Sequence, residues 1–372
     1  LNNPDPRSKI ASKFLDADYA PKNRILPAAR DLRTPLSGQI WHDGAAQDPI
    51  ERDFAPREIA FADVMARTIE APLLAGEMVL FDQSHIYLDT SIVLEYTPDQ
   101  IQSVAARFRE ALARSASDPL DDAYSDDTVL ISHHEGGHTW GHYLCQSLPR
   151  ILLFLDTFPT AKIAVPAWHA EGARGFGEAL ALYAVPLERL AVIEADTVYC
   201  FKRAILLDYL FNFELSAPHP QVLPLLRRPP SHQSALRHGA AAFIKRAADA
   251  SRAIGNADDV EGIMQRLEIP SFITGELTLA DQIEIWQGHD LVIATLGSDL
   301  ANIVYARPGT KLLVLSPHWF GDAFFFEHAV AAGVHWYELR CGEMAVRDPA
   351  EERNSTFTVD TALLESILST LL

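Results

Sequence analysis

The stretch from Pro270 to Pro317, PSFITGELTLADQIEIWQGHDLVIATLGSDLANIVYARPGTKLLVLSP, restricts the fold more than any other part of the chain. LADQIEIWQGHD places Leu279, Ile283 and Trp286 at helical spacing, with Ile285 beside them. LVIAT is a short β-branched apolar run, the mark of a strand buried on both faces of a parallel sheet. LGSDLANIVYA has its glycine, Gly297, at the strand end and continues as a helix. Arg307-Pro308-Gly309 closes that helix, and KLLVLS is the next buried strand. A small loop at the carboxyl end of a parallel strand, feeding a helix N-terminus, is where α/β proteins hold phosphates. The same pattern also describes ordinary βαβ packing without a ligand, and periodicity does not choose between the two.

The rest of the chain extends the α/β reading. Residues 1 to about 70 are rich in Pro, Asp and Arg and read as an irregular wrapping segment. Gly76 to Tyr96 alternates in short runs, as two or three strands would. TPDQIQSVAARFREALARSA has Thr97 three residues before Gln100, a capping-box spacing, and continues as an amphipathic helix. DDTVLIS and AKIAVPA read as strands. TWGHYLCQSLPRILLFL reads as a helix broken near Pro149, and GFGEALALYAV as a helix ending before Pro186. The proline-dense Ser216–His232 stretch is the expected interdomain linker or crossover. The expected domains are 1–226 and 227–372.

Composition narrows the function classes. The 372 residues are 48% hydrophobic and 22% charged, ordinary for a folded chain with a sizeable core. A net charge of −19 argues against a broad nucleic-acid surface and against docking on anionic lipid. Cys145, Cys200 and Cys341 lie far apart in apolar contexts and read as buried thiols of a reducing compartment. No run approaches ~18 uninterrupted apolar residues, and the opening LNNPDPRSK is not a signal peptide. The expected location is cytoplasmic, with membrane association through a partner or a removed segment left open.

Three ordered blocks resemble the family-61 glycosyltransferases. The carboxyl-terminal signature of that family has a helix ending in Q-I, a strand, a G-P-H-G-A-G-L-T-N loop and a P-G-T before an apolar strand. Gln282 and Ile283 match its helix; Gly297, Leu300 and Asn302 match its loop; Pro308, Gly309 and Thr310 match its close. His138–Asp156 resembles the G-H-W/F-L…L-P-R-L block at Gly141, His142, Leu144, Leu148, Pro149 and Arg150. Phe243–Val260 resembles the S-R…R-x-x-x-N-E block at Arg246, Arg252 and Asn256, and Phe324–Leu339 resembles the helix and strand that follow. The resemblance implies a GT-B architecture of two Rossmann-like lobes facing a cleft. It also implies inverting transfer of a sugar, without a required metal or other cofactor, from a UDP-linked nucleotide sugar to a saccharide acceptor. The expected setting is cell-surface polysaccharide assembly. The departures fall on the donor loop and around it. Leu296 replaces the loop histidine, Asp299 the second glycine, and Val314 a strand glutamate. Gln146 and Ser147 replace acidic residues, and Lys245 replaces a serine.

The resemblance and the chemistry together name candidate residues. Inversion needs a base for the acceptor hydroxyl, and imidazole suits that task near neutral pH. His142 is the first candidate, with His138 and Glu135 as alternatives; a histidine that merely caps the turn is the competing reading. A metal-free diphosphate site needs cations, so Arg246, Arg252 and Lys245 are expected on the donor, with a solvated helix face as the alternative. Gly297 and Ser298 offer backbone N–H groups, Gln282 matches the signature, and Asp299 either caps the helix or meets a sugar hydroxyl. Asn302 reads as structural, and Trp319 as core or as a stacking platform. The rival chemistry is His134-Glu135-Gly136-Gly137-His138, a literal H-E-x-x-H. Two histidines one turn apart can bind Zn²⁺ while the glutamate activates water. Leu144 stands where a third metzincin ligand would be, and the paired glycines each cost a helix about 1 kcal/mol. A zinc-dependent hydrolase and a catalytically reduced carbohydrate-binding homologue are therefore the alternatives, as is non-catalytic metal binding by His133, His134, His138 and His142. No metal site is assigned.

Overall fold

The computed structural model describes residues 22–43, 52–75, 79–81, 86–87, 123–132, 139–170, 175–194, 197–228, 239–247, 250–321, 323–346 and 354–372. The chain forms two compact units. One holds Leu1–Ala29 and Phe61–Phe213, the other Arg30–Ala60 and Glu214–Leu372. The expected 227–372 lobe lies within the second unit, which also takes in residues 30–60 and 214–226.

The second unit is built on a six-stranded sheet in which every neighbouring pair is parallel. In sheet order the strands are Ser271–Ile273, Gly239–Lys245, His289–Thr295, Lys311–Pro317, His335–Cys341 and Gln39–His42. Apart from the last, the chain visits them in the doubly wound order 2-1-3-4-5. Parallel pairing requires a crossover after each strand. Helices Ala257–Arg266, Leu279–Gly288 and Phe324–Ala332 and the 3₁₀ helix Ser298–Tyr305 supply these crossovers, and Thr361–Leu371 follows the sheet. On one face Phe243, Leu291, Ile293, Leu313, Leu315 and Leu339 pack with Val260, Ile263, Met264, Leu364 and Leu368. On the other, Ile283, Trp286, Leu300, Ile303 and Phe326 are buried. Burial on both faces explains the uninterrupted apolar runs LVIAT and KLLVL.

The Pro270–Pro317 unit folds as its pattern indicates, with one difference. Its second helix is 3₁₀ rather than α. A 3₁₀ helix rises about 2.0 Å per residue against 1.5 Å for an α-helix, so a short segment between Gly297 and Pro308 covers the return path with fewer residues.

The first unit has a mixed sheet, in strand order Lys22–Leu26, Val64–Glu70, Arg203–Leu207, Thr128–Ile131, Lys162–Pro166 and Leu190–Ile193. The last four of these are mutually parallel, while Lys22–Leu26 and Val64–Glu70 add an antiparallel edge. A smaller antiparallel sheet joins Val198–Cys200, Leu73–Ala75, Val79–Phe81 and Ile86–Tyr87. The α/β reading holds in this unit, as a parallel core with antiparallel additions.

Two further readings are corrected. The segment 1–70 is not irregular where it is described: it forms strands at Lys22–Leu26, Ala29–Arg33, Gln39–His42, Arg57–Phe61 and Val64–Glu70. Two of these pair with partners far along the chain, as in Ala66↔Leu207 and Gln39↔Tyr337, and charges interrupt most of them, so no apolar run announces them. The proline-dense stretch is not a free linker. Val222–Leu226 is a helix with four buried residues, and Arg227 donates to the carbonyls of Val304 at 2.7 Å and Ala306 at 2.9 Å. Burial lowers the Arg227 pKa from its ordinary value, yet a guanidinium stays charged. No helix among the described residues is long and apolar enough to cross a membrane. Arg227→Ala strands those two carbonyls, so it is expected to lower stability by about 1–3 kcal/mol in urea unfolding.

Candidate functional site

In a doubly wound sheet, ligands bind beyond the carboxyl ends of the strands at the point where the chain order reverses. Here that point lies between Gly239–Lys245 and His289–Thr295, paired in parallel from Gly239↔His289 to Ile244↔Ala294. The residues leaving these two strands therefore emerge side by side. They are Lys245 and Arg246 from one, and Leu296, Gly297, Ser298 and Asp299 from the other.

Of these residues, Arg246 is the one whose side chain lies against the glycine loop. Its guanidinium lies on the Gly297 backbone so closely that a methyl group at 297 would fall 1.4 Å from Nη1. The Gly297 φ of 174° is ordinary extended backbone, so glycine is required here for the close approach and not for its conformation. Nε and Nη1 of Arg246 are buried and have no hydrogen-bond partner among the described residues. Burial lowers the Arg246 pKa from its ordinary value, and the Asp299 carboxylate pulls it partly back. A buried guanidinium with unused donors is costly unless an acceptor meets it, and phosphate oxygens fit its planar fork. The alternative of a solvated KRAADASR helix face is overturned. Lys245 ends a strand, and Ser251 and Arg252 lie in a turn.

The other candidates divide by what they touch. Arg252 has a left-handed backbone, φ 58°. Its backbone N–H donates to Asn354 O at 2.9 Å, Nη1 to Asn354 Oδ1 at 2.9 Å and Nε to Leu296 O at 3.4 Å. Its guanidinium carbon lies 4.8 Å from the Phe320 ring centroid. Arg252 thus ties three loops at the carboxyl end of the sheet. Lys245 is turned to Glu261 at 3.2 Å. Gln282 donates to Thr274 O at 2.9 Å and Leu277 O at 3.1 Å, and accepts from Asn302 Nδ2 at 2.8 Å. Its amide braces the loop from behind, with the fully buried Asn302 as its donor. Asp299 accepts a hydrogen bond from the Thr274 hydroxyl, so Thr274 on the neighbouring strand end aims it. Gly297, not Asp299, occupies the helix N-cap.

In the first unit His142 stands in the helix that follows the carboxyl end of Thr128–Ile131. Glu135, His138 and the rest of His133–His138 lie outside the described residues. The helix does not break at Pro149; it widens ahead of it into a π turn, Tyr143–Ser147. Proline lacks the N–H that would bond Cys145 O and its ring crowds that carbonyl, so the wider turn relieves both. His142 is exposed, and its Nδ1 lies 2.8 Å from Gln146 Oε1. An amide oxygen only accepts, so Nδ1 is the donor in this pair. Arg150 from the same block is fully buried and donates to Leu207 O at 2.7 Å, which marks a framework role.

Sequence reasoning missed Thr274 and Asn354, whose roles arise from pairing across loops, and read Phe320 only as one of an aromatic run suited to a core or an interface. It also passed over Glu338 and Arg340. Their i, i+2 spacing inside an apolar strand was a legible sign of two charges on one buried face.

Residues 140–313 match the family model described as Glycosyltransferase 61. No curated protein matches the chain. The matched span holds His142, Arg246, Arg252 and the Gly297–Asp299 loop.

Gly297→Ala displaces the far end of a flexible side chain. It is therefore expected to leave urea stability within about 1 kcal/mol.

Proposed function

We propose that this chain, which belongs to glycosyltransferase family 61 through residues 140–313, moves a sugar from a UDP-linked donor to a saccharide acceptor with inversion at the anomeric carbon. We assign the donor to the second unit and the acceptor chemistry to the first, the division of labour of a GT-B transferase. The natural setting is assembly of a cell-surface polysaccharide. The observation that carries the reading is the buried Arg246 guanidinium at the switch point, with unused donors facing the glycine loop.

Arg246 holds the diphosphate, helped by the first N–H groups of the Ser298–Tyr305 helix. As the bond from the anomeric carbon to the phosphate oxygen breaks, the nucleotide leaves with the electron pair. Arg246 then stabilises the charge that develops on it, at the place where such charge matters most. Asp299 is unsuited to phosphate by its charge, and we assign it to a donor hydroxyl. Arg252 keeps the loops in register and does not itself grip the diphosphate. On the acceptor side, Nε2 of His142 takes the hydroxyl proton as the oxygen attacks from the face opposite the leaving nucleotide. Gln146 holds the ring in the required tautomer without adding charge.

Two variants test the two halves separately. Arg246→Ala removes charge-assisted hydrogen bonds worth about 1.5–3 kcal/mol, so nucleotide affinity is expected to fall about 10- to 100-fold with the thermal midpoint nearly unchanged. Unaltered affinity in calorimetric titration would remove Arg246 from the donor site. His142→Ala is expected to slow turnover about 10²-fold or more while donor affinity barely changes. Turnover near wild type in a nucleotide-release assay would demote His142 to a structural residue.

A further inference from the structure

A buried polar cluster of the second unit lies inside its sheet, next to the loop that follows Lys311–Pro317. Glu338, Arg340 and Ser316 are fully buried, and Arg52 and Trp336 nearly so. The Glu338 carboxylate gathers four groups. Its Oε1 accepts from Arg340 Nη1 at 2.6 Å and from Ser316 Oγ at 2.8 Å; its Oε2 accepts from Arg52 Nε at 3.2 Å and from Trp336 Nε1 at 2.9 Å. Burial pushes the Glu338 pKa up, but the two arginines outweigh it and hold the carboxyl below its usual range. The arginines reach beyond the carboxylate. Arg340 Nη2 donates to His318 O at 2.6 Å and Phe320 O at 3.0 Å, and Arg52 Nη1 to Gly321 O at 3.5 Å.

A core selected for stability alone gains little from such a cluster, because buried ion pairs seldom outperform apolar packing of the same volume. What this one adds is geometric. Two guanidinium forks fix the carbonyls of residues 318, 320 and 321, and so the path of the loop. That loop presents the Phe320 ring to Arg252, which in turn bonds Leu296 O directly before Gly297.

We propose that Glu338, Arg340 and Arg52 are positioning residues for the donor site. By fixing the His318–Gly321 loop they set Phe320, through Phe320 they set Arg252, and through Arg252 they set the backbone of the glycine loop on which Arg246 lies. The proposal rests on the nucleotide-sugar reading above. No residue of the cluster touches the donor; its effect is transmitted through the loop.

The test uses the full chain and whichever of UDP, GDP or CMP the wild type binds most tightly. Arg340→Lys keeps the charge but loses the fork. It is expected to raise the nucleotide dissociation constant about 10-fold and to speed hydrogen exchange at the 318–321 amides, while exchange in the His289–Thr295 strand stays slow. Phe320→Leu leaves the buried cluster intact. It removes only the ring under Arg252 and should weaken nucleotide binding about 3- to 30-fold at unchanged stability. If Arg340→Lys fails to fold, Phe320→Leu and Ser316→Ala decide the matter. Wild-type nucleotide affinity in the folded variants, or unaltered exchange at 318–321 in Arg340→Lys, overturns the proposal and leaves the transferase reading standing. A wild-type protein that binds none of the three nucleotides brings down the transferase reading, and this proposal with it.

Discussion

The candidate site depends on one pairing, that of Gly239–Lys245 with His289–Thr295. These strands are the first and third that the chain lays down in the main body of the sheet, and they lie side by side because Ser271–Ile273 was placed on the outer edge. Their parallel register carries both carboxyl ends to one level, so Arg246 lands over Gly297. A slip of one residue would exchange the faces of the strand and turn its apolar residues away from Val260, Ile263 and Met264. The core that fixes the register therefore also fixes the position of the guanidinium.

The charges around that junction are arranged by role. Arg246 keeps buried donors without a partner among the described residues, with Asp299 near enough to offset part of its charge and held elsewhere by Thr274. Arg252 is fully engaged in holding loops together, and its positive φ is a local strain of the kind that persists only where surrounding contacts over-determine the backbone. Lys245 is neutralised by Glu261 on the neighbouring helix. Of the three cations Lys245, Arg246 and Arg252, tertiary contacts leave one suited to meet an anion.

The first unit follows a parallel logic with different parts. Thr128–Ile131 lies within its parallel strands, and the next described helix begins with Trp140. Pro149 forces the π turn, and that turn brings Gln146 under His142. Arg150 fixes the end of Arg203–Leu207 from below, and its guanidinium lies 4.2 Å from the Tyr209 ring centroid. One short block thus carries both a candidate base and the framework residue that steadies the sheet next to it.

Local pattern determined much of this protein. The apolar runs and glycine–proline punctuation of Pro270–Pro317 marked its strands and helices, because strands covered on both faces of a parallel sheet favour continuous apolar side chains. The same punctuation marked the glycine loop, and the block around His142 was legible as a helix. Other features were beyond the reach of local pattern. The strands of residues 22–70 are held by partners more than a hundred residues away or lie where charge is tolerated, so their own composition reads as loop. The proline-dense stretch looked like a linker because its anchor, Arg227 on the Val304 and Ala306 carbonyls, is a long-range contact. The separate fates of Lys245, Arg246 and Arg252, and the Arg52–Glu338–Arg340 cluster, were likewise set only by the tertiary structure. Which cation is neutralised, which ties loops and which stays open depends on what the sheet brings beside it, and sequence spacing does not carry that information.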